Sequence, residues 1–365
     1  MLQRKGQGTG LRRRAIRWML LTVAVIAVGA AAAYPTSDWM RKPMNDAARA
    51  ELLREGKARQ FVRTPHGTMH VRVSGPENGP VVLLVHGGHV GGYVFEKWQR
   101  PLADAGYRVV VPDLLGQGYS ERPNVPYTKE FYVAQLNELL NRLGISERVN
   151  LLGASLGGGI AIAFAGAHPD RIISLNLIAP EGGGEDGERV NDLLLLPAIG
   201  DWIFRVPGPR ILQGMMADAN NDNPSAQRGM VAWMQEQTRY RGYGDGILNS
   251  IRNTLSNHGL SWQPDALEAI GRSGVPVIAI WGTKDMIVPF AHSRELQSRI
   301  PQLQLVPLSG QGHAINFGRE ANLLSFILPF LDRVNKSGDE SRGEAPKKES
   351  AAQELDARQV LTQKP

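Results

Sequence analysis

Short apolar runs recur along this chain, and each leads into a turn that contains glycine. They cover residues 80–85, 149–152, 275–281 and 303–308. Apolar runs of about four to eight residues that end at turn residues are typical of buried strands. An alanine- and glycine-rich stretch, residues 156–167, follows the second run and predicts a helix. This part of the chain is therefore predicted to form a strand, a sharp turn and a helix.

Ser155 lies at the centre of that turn, in the sequence Gly153-Ala-Ser155-Leu-Gly157. A strained turn that packs closely on a sheet favours residues without a Cβ atom, which explains the flanking glycines. The pattern is that of a nucleophile elbow, in which a serine hydroxyl is exposed between a strand and a helix.

The other three apolar runs also lead to residues that could act together with a nucleophilic serine. His86-Gly-Gly-His89 follows the first run, Asp285 follows the third, and His313 follows the fourth. The order serine, acid, histidine along the chain is that of α/β-hydrolases and differs from the orders in chymotrypsin-like and subtilisin-like proteases.

On these motifs, residues 61–335 resemble an α/β-hydrolase of the esterase and lipase group. The segment 111–123, with Asp113, resembles the D-x-x-G-x-G-x-S loop of the same group. The resemblance implies a mostly parallel eight-stranded sheet flanked by helices, with a helical lid inserted at about residues 181–262. It also implies that His86 and Asp113 order loops. A serine nucleophile argues against haloalkane dehalogenase and epoxide hydrolase activities, because those relatives carry aspartate there.

The residue types define a mechanism. A serine hydroxyl is a weak nucleophile and needs a base, for which His313 is the candidate. Asp285 would hold the histidine tautomer and stabilise the imidazolium. The N–H groups of Leu156 and Gly88 are the candidate oxyanion donors, with Gly87 or His89 as alternatives to Gly88.

Residues 18–34 contain no charged side chain and follow a basic segment, residues 1–17. This predicts either an uncleaved anchor or a cleaved signal peptide. The length is at the lower limit of the roughly 17–25 residues that span a bilayer. The excess of cations before the segment predicts a cytoplasmic N-terminus and an extracytoplasmic hydrolase domain, either single-pass or secreted.

The formal charge is +6, from 41 basic and 35 acidic residues. All of the excess lies before the apolar segment, so nucleic-acid binding is not expected. Residues 35–60 are predicted to form a stalk that includes a surface helix. Residues 336–365 are charged and poor in apolar residues, which predicts a disordered tail.

The predicted lid begins with three glycines, a candidate hinge, and is rich in apolar residues. Its apolar positions include residues 193–196, 202–204, 211–212 and 215–216. An apolar lid favours a hydrophobic acyl or aromatic ester as substrate. No cofactor or metal is expected. Hydrolysis of a C–C bond in a ring-cleavage product is the alternative reaction, and a non-catalytic protein that binds a ligand or partner is the alternative class.

Overall fold

The computed structural model describes residues 7–88, 90–184, 195–218, 223–255 and 259–343. Eight strands form one sheet. They are β1 (Gln60–Thr64), β2 (Gly67–Ser74), β3 (Val81–Val85), β4 (Arg108–Pro112), β5 (Val149–Ala154), β6 (Ile172–Ile178), β7 (Val277–Gly282) and β8 (Leu303–Leu308). Their spatial order is β1-β2-β4-β3-β5-β6-β7-β8. β2 is antiparallel to both of its neighbours and every other pair is parallel, which confirms the predicted fold class.

Helices cover both faces of the sheet. An N-terminal helix, α1 (Gln7–Trp39), precedes the body. The helices of the body are α2 (Asp46–Arg54), α3 (Glu96–Asp104), α4 (Lys129–Arg142), α5 (Leu156–Ala167), α10 (Pro264–Ser273), α11 (Ser293–Arg299) and α12 (Glu320–Gly343). The segment between β6 and α10, called the inserted segment below, contains α6 (Ile199–Arg205), α7 (Gly208–Asp218), α8 (Pro224–Gln237) and α9 (Tyr243–Ser250).

The central strands are apolar on both sides because both sides are buried. Every residue of β3 is buried, and its side chains alternate between two cores. Leu83 belongs to the core beneath α4, α5, α10 and α11, whereas Val82 and Leu84 belong to the core beneath α3 and α12. Two helical layers therefore hold the sheet between them.

The segment predicted as a stalk packs on the domain. Asn45 caps α2 by accepting a hydrogen bond from the N–H of Ala48 (3.0 Å). Ala48 and Leu52 are buried in a cluster with Tyr119 and Tyr240. Most of this segment is polar, but it carries a narrow apolar face that packs on the domain. Residues 46–58 are therefore part of the body and not a free linker.

The predicted tail differs as well. α12 continues through Gly343, eight residues into the segment that composition assigned to disorder. Adding residues to an existing helix costs far less than nucleating one, and the packed first half of α12 provides the nucleus. Residues 344–365 lie outside the described part of the chain.

The base of the inserted segment is closed by backbone pairing. Gly182 and Gly183 each form an isolated β-bridge with Trp262. An added Cβ at Gly183 would lie 2.3 Å from Leu296 Cδ1 and 2.8 Å from the carbonyl oxygen of His292. These glycines are packed tightly at the edge of the body. The lack of side chains allows these glycines to pack closely against the body. The sequence had instead suggested a flexible hinge.

Candidate active site

Ser155 stands between β5 and α5 with φ 53° and ψ −125°. A non-glycine residue with positive φ is strained, and such strain concentrates at functional positions. The neighbouring glycines make the turn possible. An added Cβ at Gly153 would lie 2.2 Å from the carbonyl oxygen of Gly157, and one at Gly157 would lie 2.2 Å from that of Val85. The turn is thus forced tightly against the end of β3, and Ser155 is left partly exposed.

The structure brings Ser155, His313 and Asp285 together. His313 Nε2 lies 3.0 Å from Ser155 Oγ, and His313 Nδ1 lies 2.8 Å from Asp285 Oδ2. The Asp285 side chain is fully buried, while that of His313 is 22% exposed. The other oxygen of Asp285 accepts hydrogen bonds from the N–H groups of Ile287 and Val288, both at 2.9 Å. A carboxylate fixed in this way orients the imidazole toward the serine.

Parallel pairing of β7 and β8 delivers the acid and the histidine to one place. The register joins Gly282 to Leu308 at the ends of the two strands. Beyond it, the N–H of Thr283 donates to Leu308 O (3.0 Å) and that of Lys284 donates to Gln311 O (2.8 Å). The two loops therefore continue to pair past the sheet, and this pairing sets the separation between Asp285 and His313.

The candidate oxyanion residues lie beside the nucleophile. Leu156 is the first residue of α5, and the N–H groups of a first helical turn have no acceptor within the helix. An added Cβ at Gly87 would lie 3.1 Å from Ser155 Cβ, and one at Gly88 would lie 4.0 Å from Leu156 Cδ2. The loop after β3 thus packs against the start of α5. His89, the alternative donor, lies outside the described residues.

His86 joins two loops behind the site. Its Nδ1 donates to the carbonyl oxygen of Gly87 (2.7 Å), and its Nε2 accepts the N–H of Leu114 (2.9 Å). These two bonds require the neutral ring protonated at Nδ1. The residue is buried, and burial lowers the pKa of His86 below its ordinary value.

Asp113 anchors the loop after β4. It is fully buried and accepts the N–H of Gly92 (2.7 Å) and of Tyr119 (2.9 Å). His70 Nδ1 lies 2.8 Å from its Oδ2, and Arg72 Nη1 donates to its Oδ1 (3.3 Å). Burial alone would raise the pKa of Asp113, but Arg72 and His70 hold it well below its usual range. These contacts join the loop after β4 to β2 and to the chain after β3.

Sequence reasoning missed two aromatic residues near the site. Trp233, on α8, donates from Nε1 to the carbonyl oxygen of Val90 (2.6 Å), and its ring stacks on Tyr93 at 5.2 Å. Tyr93 also contacts Phe317, shortly after His313 in the chain. The inserted segment therefore holds the loop that carries Gly88. Contacts between residues 143 positions apart leave no local pattern in the sequence.

Other candidates fall away from this centre. Asp265, a carboxylate that precedes Asp285 in the chain, is exposed in the first turn of α10. Residues 193–194 and the side chains of residues 215–216, expected to line the lid, lie outside what the structure describes. Within the described ranges, no three His, Asp or Glu side chains are grouped so that they could hold a metal ion.

The fold and the sequence both assign a family. Residues 80–320 match the family model described as alpha/beta hydrolase fold, so the chain belongs to this family. It is 28% identical over 308 residues to an uncharacterised protein of Mycobacterium tuberculosis, covering 80% of this chain and 84% of that one.

Two other relatives have named activities. A 2-hydroxy-6-oxononadienedioate/2-hydroxy-6-oxononatrienedioate hydrolase of Cupriavidus pinatubonensis is 28% identical, covering 78% of this chain and 99% of its own. Lipase 1 of Psychrobacter immobilis is 27% identical over 65% of this chain and 73% of its own. Among solved structures, the enol-lactonase from Burkholderia xenovorans LB400 superposes with a TM-score of 0.64 at 22% identity, covering 75% of this chain and all of that one. That likeness concerns the fold.

Proposed function

We propose that this protein is a membrane-anchored serine hydrolase that cleaves a carboxylic ester of a hydrophobic acyl or aromatic substrate. Ser155 attacks the ester carbonyl while His313 takes its proton, and Asp285 stabilises the imidazolium that results. Backbone N–H groups of Leu156 and Gly88 stabilise the tetrahedral oxyanion. His313 gives this proton to the departing alcohol, which leaves an acyl-enzyme on Ser155. Water that loses a proton to His313 then attacks the acyl-enzyme, and the proton returns to Ser155 as the acid is released.

One observation carries the proposal: a serine held at positive φ lies 3.0 Å from a histidine whose other nitrogen lies 2.8 Å from a buried carboxylate. A serine that only filled a turn would need neither the strain nor the pair. Phe204, Tyr243 and Ile247 are buried together within the inserted segment, and this apolar interior supports a hydrophobic substrate.

A fluorophosphonate probe tests the assignment directly. The probe should label the purified full chain at Ser155, located by mass spectrometry of peptides, and Ser155→Ala should abolish labelling. A p-nitrophenyl ester series of increasing chain length then reports the substrate class. Folded wild-type protein that resists labelling would favour the non-catalytic, ligand-binding alternative.

Hydrolysis of a C–C bond is the second candidate. It is favoured by the relative from Cupriavidus pinatubonensis, which is matched over almost its whole length. The same triad serves either reaction, so geometry at Ser155 does not separate them. Parallel assays with the ester series and a ring-cleavage dienoate decide the matter, because the specificity constant should favour one class by orders of magnitude.

The anchoring part of the proposal rests on α1. Residues Arg14–Trp39 form a helix long and apolar enough to cross a membrane, and its apolar window is exposed. The end of this helix is bonded to the inserted segment: Trp202 Nε1 donates to Ala30 O (2.7 Å), and the Arg205 guanidinium lies 4.0 Å from the centre of the Tyr34 ring. These contacts favour an uncleaved anchor, because cleavage near Ala33 would remove one partner.

A further inference from the structure

A polar cavity of about 410 Å³ lies between the end of α1 and the inserted segment. Its lining comes from the residue two positions after α1, from the start of α7 and from the end of α8. The lining residues are Arg41, Val206, Pro209, Arg210, Gln213, Gln235 and Thr238. Two are arginines, and none of these described residues is acidic. Guanidinium and amide N–H groups that converge without a carboxylate suit an anion.

Arg41 carries an unused donor. Its Nη2 donates to the carbonyl oxygen of Arg205 (2.9 Å), which fixes the guanidinium in place. Its Nη1 is buried and has no hydrogen-bond partner among the described residues. The nearby Asp38 and Asp245 also act on the Arg41 charge, but their ion pairs are with Arg205, at 3.8 Å and 2.8 Å. A buried charged donor without an acceptor costs free energy, which an anionic ligand in the cavity would recover.

The cavity lies where the apolar helix ends. Trp39 closes the candidate span, and Trp39 and Met40 are 79% and 78% exposed. Tryptophan is enriched at the level of lipid headgroups. The inserted segment adds exposed apolar side chains at Leu196, Ile199 and Ile211. With α1 in a bilayer, the two arginines would stand at the depth of the phosphates.

We propose that this cavity binds the phosphate of a membrane phospholipid headgroup. Arg41 Nη1 and the exposed Arg210 guanidinium bind the phosphate oxygens, the amides of Gln213 and Gln235 add neutral donors, and Val206 and Pro209 contact the glycerol. The inference rests on the anchoring role of α1 given under Proposed function, but is independent of the chemistry at Ser155. The bound lipid fixes α7 and α8 against the membrane surface.

The test uses the full chain in a non-ionic detergent, titrated with dioctanoyl phosphatidylglycerol and followed by native mass spectrometry. We expect saturable binding that weakens by about tenfold or more in Arg41→Gln/Arg210→Gln, since each substitution removes a charged hydrogen bond. The matched control is Arg100→Gln/Arg272→Gln, which removes two charges from arginine side chains 90% and 71% exposed on α3 and α10. Equal affinities in the two double variants would overturn the proposal.

Inorganic phosphate serves as the second probe and should bind far more weakly than the lipid. Phosphate binding as tight as that of phosphatidylglycerol would overturn the lipid assignment in favour of a soluble anion. If Arg41→Gln disturbs folding, Arg210→Gln alone carries the test, because that side chain is exposed. Fluorophosphonate labelling of the same samples separates the two proposals: a failed headgroup site leaves labelling of Ser155 intact, and a failed nucleophile assignment leaves lipid binding intact.

Discussion

Ser155, His313 and Asp285 are joined by two side-chain contacts, so we expect them to act as one unit. We expect Ser155→Ala and His313→Ala each to remove nearly all esterase activity while the protein stays folded. Asp285→Asn should lose roughly 10⁴-fold in kcat, because the amide cannot hold the required tautomer. Turnover of p-nitrophenyl esters measures all three. Asp265→Asn is the matched control, since that carboxylate is exposed. More than about a hundredth of wild-type turnover in Ser155→Ala would disprove the nucleophile assignment.

His86 should make stability depend on pH. Burial lowers the pKa of His86 in the folded state from 6.5, so on acidification the unfolded chain takes up the proton first. Its contribution to the free energy of unfolding is complete above about pH 6.5 and is lost as the pH falls toward the folded-state pKa. Chemical denaturation between pH 5 and 8 should therefore show a shallower acid slope in His86→Gln than in the wild type. Identical slopes would contradict this account.

How far the sequence predicts this site follows from what the sequence can display. The elbow at Ser155 and the turns at Asp285 and His313 are local patterns, and their order along the chain resembles that of one family. The Trp233 bond to Val90 joins distant segments through a tertiary contact, and nothing near either residue in the chain predicts it. The same holds for α2, whose two buried apolar residues pack with the residues at positions 119 and 240.

At the scale of the elements, α8 contacts the loop after β3 through the indole of Trp233, which donates a hydrogen bond to Val90 O. Trp233→Phe keeps the aromatic ring but removes the hydrogen bond to Val90 O. We expect a decrease of roughly threefold to tenfold in kcat with a smaller change in KM, because the Gly88 backbone is less well ordered in the transition state. Steady-state kinetics on one ester checks this. Tyr240→Phe, which removes a hydroxyl elsewhere in the inserted segment, should behave as wild type. An effect confined to KM would instead assign Trp233 to substrate binding.

The glycine pair at the base of the inserted segment gives a test of close packing against flexibility. Gly183→Ala should destabilise the protein by about 1–3 kcal/mol, because the added methyl group meets the fully buried Leu296 and the His292 backbone. Gly214→Ala, in α7 with no atom within 4 Å of the added carbon, should be neutral or slightly stabilising. Thermal unfolding compares the two. A neutral Gly183→Ala would restore the hinge interpretation.

At the scale of the whole molecule, the charge distribution predicts orientation. Six basic residues and no acidic residue precede the uncharged residues 18–34, which favours a cytoplasmic N-terminus. Membrane fractions should contain the protein, and protease added to spheroplasts should digest the hydrolase domain while a cytoplasmic marker survives. A soluble mature protein that begins near Tyr34 would indicate a secreted enzyme. Recovery from the cytosol would contradict both arrangements.

The contacts between α1 and the inserted segment determine how the proposed anchor would hold the hydrolase domain. Trp202 and Arg205 contact residues inside the helix, and the chain just after it pairs through Lys42 with the backbone on either side of Tyr240. A domain joined to its anchor by a flexible linker would meet soluble substrates from every direction. With α1 in a bilayer as proposed, these contacts predict that the hydrolase domain is held at a fixed height and tilt. The domain would then reach fewer soluble substrates but would stay at a constant distance from the membrane. Truncated versions made for solubility should keep residues 30–42, which form these contacts.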